Sequence, residues 1–441
     1  MMKFKLVFSF ILIAAVLFAG KSSAQELLRL EDAVRIALER NYDIRLASNE
    51  LAISKSNVSA ANAGMLPSLD AVLSNSSSIQ NSSQTRSTGE IRELNNAKSS
   101  NLNYGVSLQW TVFDGLGMFV RYDKLKEFRN LGETNLQLAV LSRISDVIST
   151  YYNLIQQQQQ LAAADTAAAI SKLRVETALN RFEIGRASRL EVLNAQVDFN
   201  TDTTNLLRQR ELYHNTRIAF NTLLARDADT PFQVDTAVDI DENLDLNELT
   251  AFAVKKNPSL QAALISKRIA ELDLKQVKAS RYPQLNLNSG YNFNRSESAL
   301  GFATLSTGRG FTYGITASMN IFNGFLQRKQ EKTAALQIEN AKLDYERLNQ
   351  EIISQLNAAF QSYTTNIALA ELEQNNKELA KKNLDITLEK FRLGSITPVE
   401  FREAQRNFVD AAVRHSHAQY LAKISEISLK ELAGIISLKQ D

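Results

Sequence analysis

Residues 101–113, Asn-Leu-Asn-Tyr-Gly-Val-Ser-Leu-Gln-Trp-Thr-Val-Phe, alternate between polar and apolar as far as Val112. Leu102, Tyr104, Val106, Leu108, Trp110 and Val112 fall on one edge of a period-2 strand, and Asn103, Gly105, Ser107, Gln109 and Thr111 on the other. The pattern returns at 310–322, where Phe311, Tyr313, Ile315, Ala317, Met319 and Ile321 oppose Thr312, Gly314, Thr316, Ser318 and Asn320. A shorter alternation precedes each: Leu69, Ala71 and Leu73 against Ser68, Asp70 and Ser74, then Leu285, Leu287, Tyr291 and Phe293 against Asn286, Asn288, Gly290, Asn292 and Asn294. Each main run holds about 12 residues, twice a usual strand and enough for the roughly 9–11 tilted residues that cross a bilayer in a β-barrel. The polar edges of these runs carry no charge, and Trp110, Tyr104 and Tyr313 suit a boundary between lipid and water. In a soluble domain the same alternation would place one face on a core, so the alternative is a soluble periplasmic coiled-coil or adaptor protein with no membrane barrel.

Elsewhere the period is helical. It predicts helices over 30–39, ended by Asn41, and over 43–63, ended by Gly64 before Pro67. Residues 75–100, rich in Ser and Asn without apolar periodicity, read as an exposed loop. A helix over 116–180 follows, roughly 100 Å long at 1.5 Å per residue, then a break at Gly185 and a helix over 189–225. Gln156 to Gln160 read as a solvated helix face. Residues 227–245 form an acidic connector, after which the chain begins again. A helix at 246–256 repeats the first, Asn257-Pro258 matches Asn41-Tyr42, and Tyr282-Pro283-Gln284-Leu285 matches Leu66-Pro67-Ser68-Leu69. A second loop at 294–309, a helix at 325–390, a break at Gly394 and a helix at 398–433 complete it. Ile353, Phe360 and Ile367 recur every seven residues, as do Leu356, Tyr363 and Ala370, which suits coiled-coil seams. The layout is a tandem repeat: 25–226 with a hairpin at about 66–113, the connector 227–245, 246–434 with a hairpin at about 283–322, and a tail at 435–441.

Composition narrows the classes. Lys3 and Lys5, the apolar run 6–19 and Ser22-Ser23-Ala24 make residues 1–24 a signal peptide. The sequence has no cysteine, so disulfides, thiolate metal sites and an acylated N-terminal cysteine are excluded. A net charge of +2 predicts no broad nucleic-acid affinity. His415 and His417 point to different sides of a helix and His214 stands apart, and no phosphate loop or nucleophile signature occurs, so no metal, cofactor or enzyme activity is expected.

The two helix breaks align without gaps, Arg181-Phe182-Glu183-Ile184-Gly185-Arg186-Ala187-Ser188 on Lys390-Phe391-Arg392-Leu393-Gly394-Ser395-Ile396-Thr397. Gly185 and Gly394 suit left-handed helix ends, Ser188 with Glu191 and Thr397 with Glu400 suit capping boxes, and Pro398 suits the first helical position. These turns, their duplication, the Leu30-Glu31-Asp32-Ala33 helix and the four strands resemble the TolC family of outer membrane efflux proteins. Independently, four strands are too few to close a barrel, which needs about 8.

The resemblance implies a mainly α fold with a membrane β-barrel: a homotrimer whose chains each give four strands to one twelve-stranded barrel, continued by a long α-helical barrel across the periplasm. It implies an outer-membrane exit duct for small molecules or proteins, serving a tripartite efflux or type I secretion system. The turns at Gly185, Arg186 and Ser188 and at Gly394, Ser395 and Thr397 would meet a periplasmic adaptor (membrane fusion) protein that links the channel to an inner-membrane pump. Glu400 and Glu403 match acidic residues of the pore entrance. The tyrosine, arginine and aspartate that lock some family entrances fall here on Phe391, Ile396 and Glu191, so that lock is absent, and Arg186, Arg189 and Arg392 are candidates for another.

Overall fold

The structure, a computed structural model, describes residues 26–299 and 303–436. The expected signal peptide, residues 300–302 of the second loop and the end of the tail lie outside them. The elements in order are β1 (Glu26–Leu28), α1 (Leu30–Arg40), α2 (Tyr42–Asn57), β2 (Ser68–Thr85), β3 (Ile91–Asp114), α3 (Gly117–Glu183), α4 (Arg189–Leu223), β4 (Phe232–Val234), α5 (Leu246–Lys256), α6 (Pro258–Ala279), β5 (Gln284–Ser298), β6 (Leu305–Ser318), α7 (Leu326–Arg392) and α8 (Pro398–Leu432). Two units divide them. One gathers the described residues of Met1–Leu46, Gln137–Pro258 and Asn349–Asp441, the other Ala47–Leu136 and Ser259–Leu348.

The second unit holds an antiparallel sheet in the order β2-β3-β5-β6. Among the described residues, β2 and β6 each pair on one side only. Register aligns Leu73 with Tyr104 and Phe293, and Ala71 with Val106, Tyr291 and Phe311, so one face is apolar across all four strands. The opposite face carries rows such as Asp70, Ser107, Gly290 and Thr312. Gly105 there is a steric requirement: an added Cβ would lie 2.5 Å from the Tyr291 carbonyl oxygen and run into the Asn292 side chain.

The strands are longer than the alternation implies. Residues 75–100 are not an exposed loop: β2 runs to Thr85, β3 starts at Ile91, and Arg86 N–H donates to the Glu90 carbonyl (2.9 Å) across the turn between them. Ser and Asn on both faces erase the period-2 signal, but the backbone ladder does not depend on it. The second expected loop is likewise strand up to Ser298 and from Leu305, whereas 319–322, expected as strand, fall past the end of β6. A bulge between Gln80 and Ser82 is stabilised by Asn96, at φ +54°, whose N–H donates to Asn81 Oδ1 at 2.7 Å. The helix expected to reach residue 63 ends at Asn57, where the Asn62 amide donates to the Asn57 carbonyl at 3.1 Å and Ser59 Oγ accepts from Asn62 N–H at 3.2 Å; turns carry the chain on to Gly64. Gly132 of α3 lets α2 approach: a Cβ there would sit 3.3 Å from Ser54 Oγ and 3.4 Å from Leu51 Cδ1.

The first unit is a helical bundle with a core of Val147, Tyr151, Leu154, Ile155, Phe220 and Leu224. The connector supplies β4, which pairs in parallel with β1 and buries Phe232 and Val234 in that core. Strands of three residues leave no periodic trace in a sequence. The Tyr151 hydroxyl secures both ends, donating to the Leu28 carbonyl and accepting from Asp235 N–H, each at 3.2 Å. Duplication is visible at atomic detail: the Asn41 amide donates to the Leu223 carbonyl at 2.9 Å, and Asn257 does the same to Leu432 at 2.9 Å. Leu356 and Tyr363 form the buried seam of α7, with Ile353, Phe360 and Ile367 half-buried beside it. Gln156 to Gln160 are not a solvated face. None is exposed; Gln156 bonds His417 Nδ1 (3.1 Å), Gln160 donates to Ser416 Oγ (3.2 Å) and Gln157 accepts from Gln209 (2.7 Å).

Candidate functional site

The two helix breaks lie in the first unit and share one geometry. Gly185 has φ +74° and Gly394 φ +75°. At the first, Gly185 N–H donates to Phe182 (2.9 Å) and Arg186 N–H to Arg181 (2.7 Å); at the second, Gly394 donates to Phe391 and Ser395 to Lys390, each at 3.0 Å. Both are Schellman ends, in which the left-handed residue lets two orphan carbonyls be satisfied. Restarting the chain takes a cap. Thr397 and Glu400 form the full capping box, both bonds at 3.3 Å, whereas Ser188 makes only the first half, accepting from Glu191 N–H at 3.2 Å.

Gly185, Arg186, Ser188, Gly394, Ser395 and Thr397 are all exposed, as are Glu400 and Glu403. Glu400 is held back on its own N-cap, while Glu403 lines a cleft of about 640 Å³ with Glu191, Asp198, Arg402 and Arg406. Of the arginine candidates, Arg392 turns to Glu389 one turn back on its own helix, at 3.0 Å. Arg181 crosses between the breaks. Its guanidinium donates to the Phe391 carbonyl (2.7 Å) and covers the Phe391 ring at 4.8 Å, and that ring stacks on Phe401 at 4.8 Å.

Below this clasp sits a buried polar cluster that the sequence did not reveal. Arg402 of α8 chelates Asp202 of α4 and also lies 3.6 Å from Asp198, which in turn pairs with Arg174 of α3 at 2.9 Å. Ser171 donates to Asp202, and the Gln405 amide donates to Ala167, Ser171 and Asp202. Burial works against the Arg402 charge, yet its bonds to Asp202 outweigh that and raise its pKa. The signal, two aspartates one turn apart and an arginine three residues before a glutamine, is common on solvated helices, so it did not stand out.

Trp110, Tyr104 and Tyr313 lie in the other unit, on the apolar face of the sheet by register. Trp110 Nε1 donates to the Met65 carbonyl at 2.9 Å, and Tyr104 stacks on Phe293 at 4.9 Å. No described helix is long and apolar enough to cross a membrane.

The family model of the outer membrane efflux protein matches residues 33–226 and 251–435. The chain is 19% identical over 436 residues to outer membrane protein TolC of Escherichia coli strain K12, covering 95% of this chain and 84% of that one. It is 22% identical over 294 residues to outer membrane protein TolC of Vibrio cholerae, 66% of this chain and 67% of that one. The fold is similar to the Campylobacter jejuni CmeC outer membrane channel, with a TM-score of 0.76 at 18% identity over 93% of this chain and 87% of that one. With one model matching nearly all of both repeats, this chain belongs to the outer membrane efflux protein family, as an outer-membrane channel with a large periplasmic helical portion.

Proposed function

We propose that three copies close one barrel through the free edges of β2 and β6 and act as the passive exit duct of a tripartite efflux or type I secretion system. The observation that carries this reading is the sheet: one face with an apolar band across all four strands for lipid, one polar face for a water-filled lumen, and two edges unpaired among the described residues that lipid does not tolerate. A stripe on α7 supports the trimer. Leu372, Leu379 and Ile386, seven residues apart, are 54%, 64% and 59% exposed, a coiled-coil seam that a neighbouring copy would cover.

The Gly185 and Gly394 turns then meet the adaptor, whose partner pump supplies the energy, and this chain performs no covalent chemistry. Around a threefold axis, Glu403 with Glu400 would ring the entrance with carboxylates that favour cations. Outer-membrane fractionation and heat-modifiable migration test the barrel, and planar-bilayer conductance tests the pore. Recovery of a monomer soluble without detergent overturns the proposal.

A further inference from the structure

Toward the hairpin ends of the sheet, the apolar face changes chemistry, and it does so at a height where the polar face is still uncharged. Register sets Arg309 opposite Phe293 and Arg295 opposite Leu102, so both arginines share the face of Tyr104, Tyr291 and Phe311. They are diagonal neighbours on adjacent strands, roughly 7–8 Å apart. Lys98, opposite Ile79, lies on the same face farther along β3. All three are exposed. The counter-charge on this strip is Glu297, whose Oε1 accepts from Arg295 at 3.0 and 2.6 Å. At the same height the opposite face carries Ser76, Asn101, Ser296 and Ser306, all uncharged. Charges added for solubility would not choose the face that turns to lipid.

On the reading that this face meets the membrane, we propose that Arg295, Arg309 and Lys98 form a binding strip for the phosphates of a phosphorylated glycolipid in the outer leaflet. Guanidinium groups match phosphate oxygens two at a time, and the aromatic ledge of Phe293, Tyr291 and Phe311 beneath takes acyl chains. That ledge selects the lipid over free phosphate, because exposed cations without it bind small anions weakly.

The test uses the full-length protein purified from outer membranes in nonionic detergent, with lipid retention read by native mass spectrometry. The probes are diphosphoryl lipid A, its dephosphorylated form and inorganic diphosphate. Combining Arg295→Gln, Arg309→Gln and Lys98→Gln should weaken diphosphoryl lipid A binding by about tenfold or more, with little change for the dephosphorylated lipid. Glu297→Gln frees Arg295 and should tighten binding about two- to threefold, an effect that a merely structural role would not produce. Unchanged lipid binding in the triple variant, or displacement of the lipid by inorganic diphosphate at equal concentration, overturns the strip. Failure to recover a heat-modifiable trimer from the outer membrane is a separate result, which overturns the barrel and the strip together.

Discussion

The guanidinium of Arg402 grips the Asp202 carboxylate with two parallel hydrogen bonds, 2.6 and 3.1 Å long, joining α8 to α4. The side chains are 20% and 10% exposed, so little water is available to replace either partner. Removing one leaves the other charge stranded, a loss of about 2–4 kcal/mol after discounting for the residual exposure. Asp202→Ala and Arg402→Ala should each lower the temperature at which the detergent-resistant trimer dissociates. Because Gln405 and Ser171 also bond Asp202, the aspartate change should cost more. In a double-mutant cycle the two losses should fall well short of adding; strict additivity would remove the proposed coupling.

Two glycines separate backbone conformation from space. An alanine at Gly185 would meet no atom within 4 Å, so its cost is the left-handed conformation itself, about 1–2 kcal/mol. At Gly105 the obstacle is the neighbouring strand, since the Cβ would press on the Tyr291 carbonyl and force β3 from β5. Gly185→Ala should therefore leave trimer yield intact while weakening the proposed adaptor contact, read by pull-down. Gly105→Ala should reduce the amount of trimer reaching the outer membrane. Equal yields for the two variants would contradict the steric account.

Glu403 and Glu400 make different predictions at the entrance. Glu400 is tied to its cap, and Glu400→Gln keeps that bond through the amide oxygen, losing only the negative charge at the helix N-terminus, about 0.3–1 kcal/mol, with a small electrical effect. Glu403 is exposed and lines the cleft, and Glu403→Lys reverses three charges in the proposed trimer. Reversal potentials under a salt gradient should move toward anion preference in Glu403→Lys, more than in Glu400→Gln. A Glu403→Lys channel as cation-preferring as the parent would place that carboxylate away from the ion path.

What could be read in advance was whatever leaves a period or a local signature. The long helices, the apolar-polar alternation at Tyr104 and Trp110 and the paired breaks at Gly185 and Gly394 all do. The Ser- and Asn-rich halves of β2 and β3 do not, since polar residues on both faces carry no alternation, and the same holds for the three-residue β1 and β4. Gln156 looked solvated because a glutamine run has the same appearance whether it faces water or a second helix; its bond to His417 depends on a residue far along the chain. Arg402 and Asp202 were hidden for the same reason.

His415 of α8 provides a pH dependence with a definite sign. It is 3% exposed, and burial, helped by the nearby Lys377 charge and opposed by Glu373 and Glu378, lowers its pKa to about 4. In the unfolded chain a histidine titrates near 6.5. Between these values the unfolded state takes up a proton that the folded state refuses. The contribution to stability is thus fully present above about pH 6.5 and is lost as pH falls toward 4, on the order of 3 kcal/mol at most. Trimer dissociation temperature should decline through this acid window, and His415→Leu, which keeps the side chain apolar and has nothing to titrate, should flatten the decline. An unchanged slope in that variant would assign the acid sensitivity to the carboxylates instead.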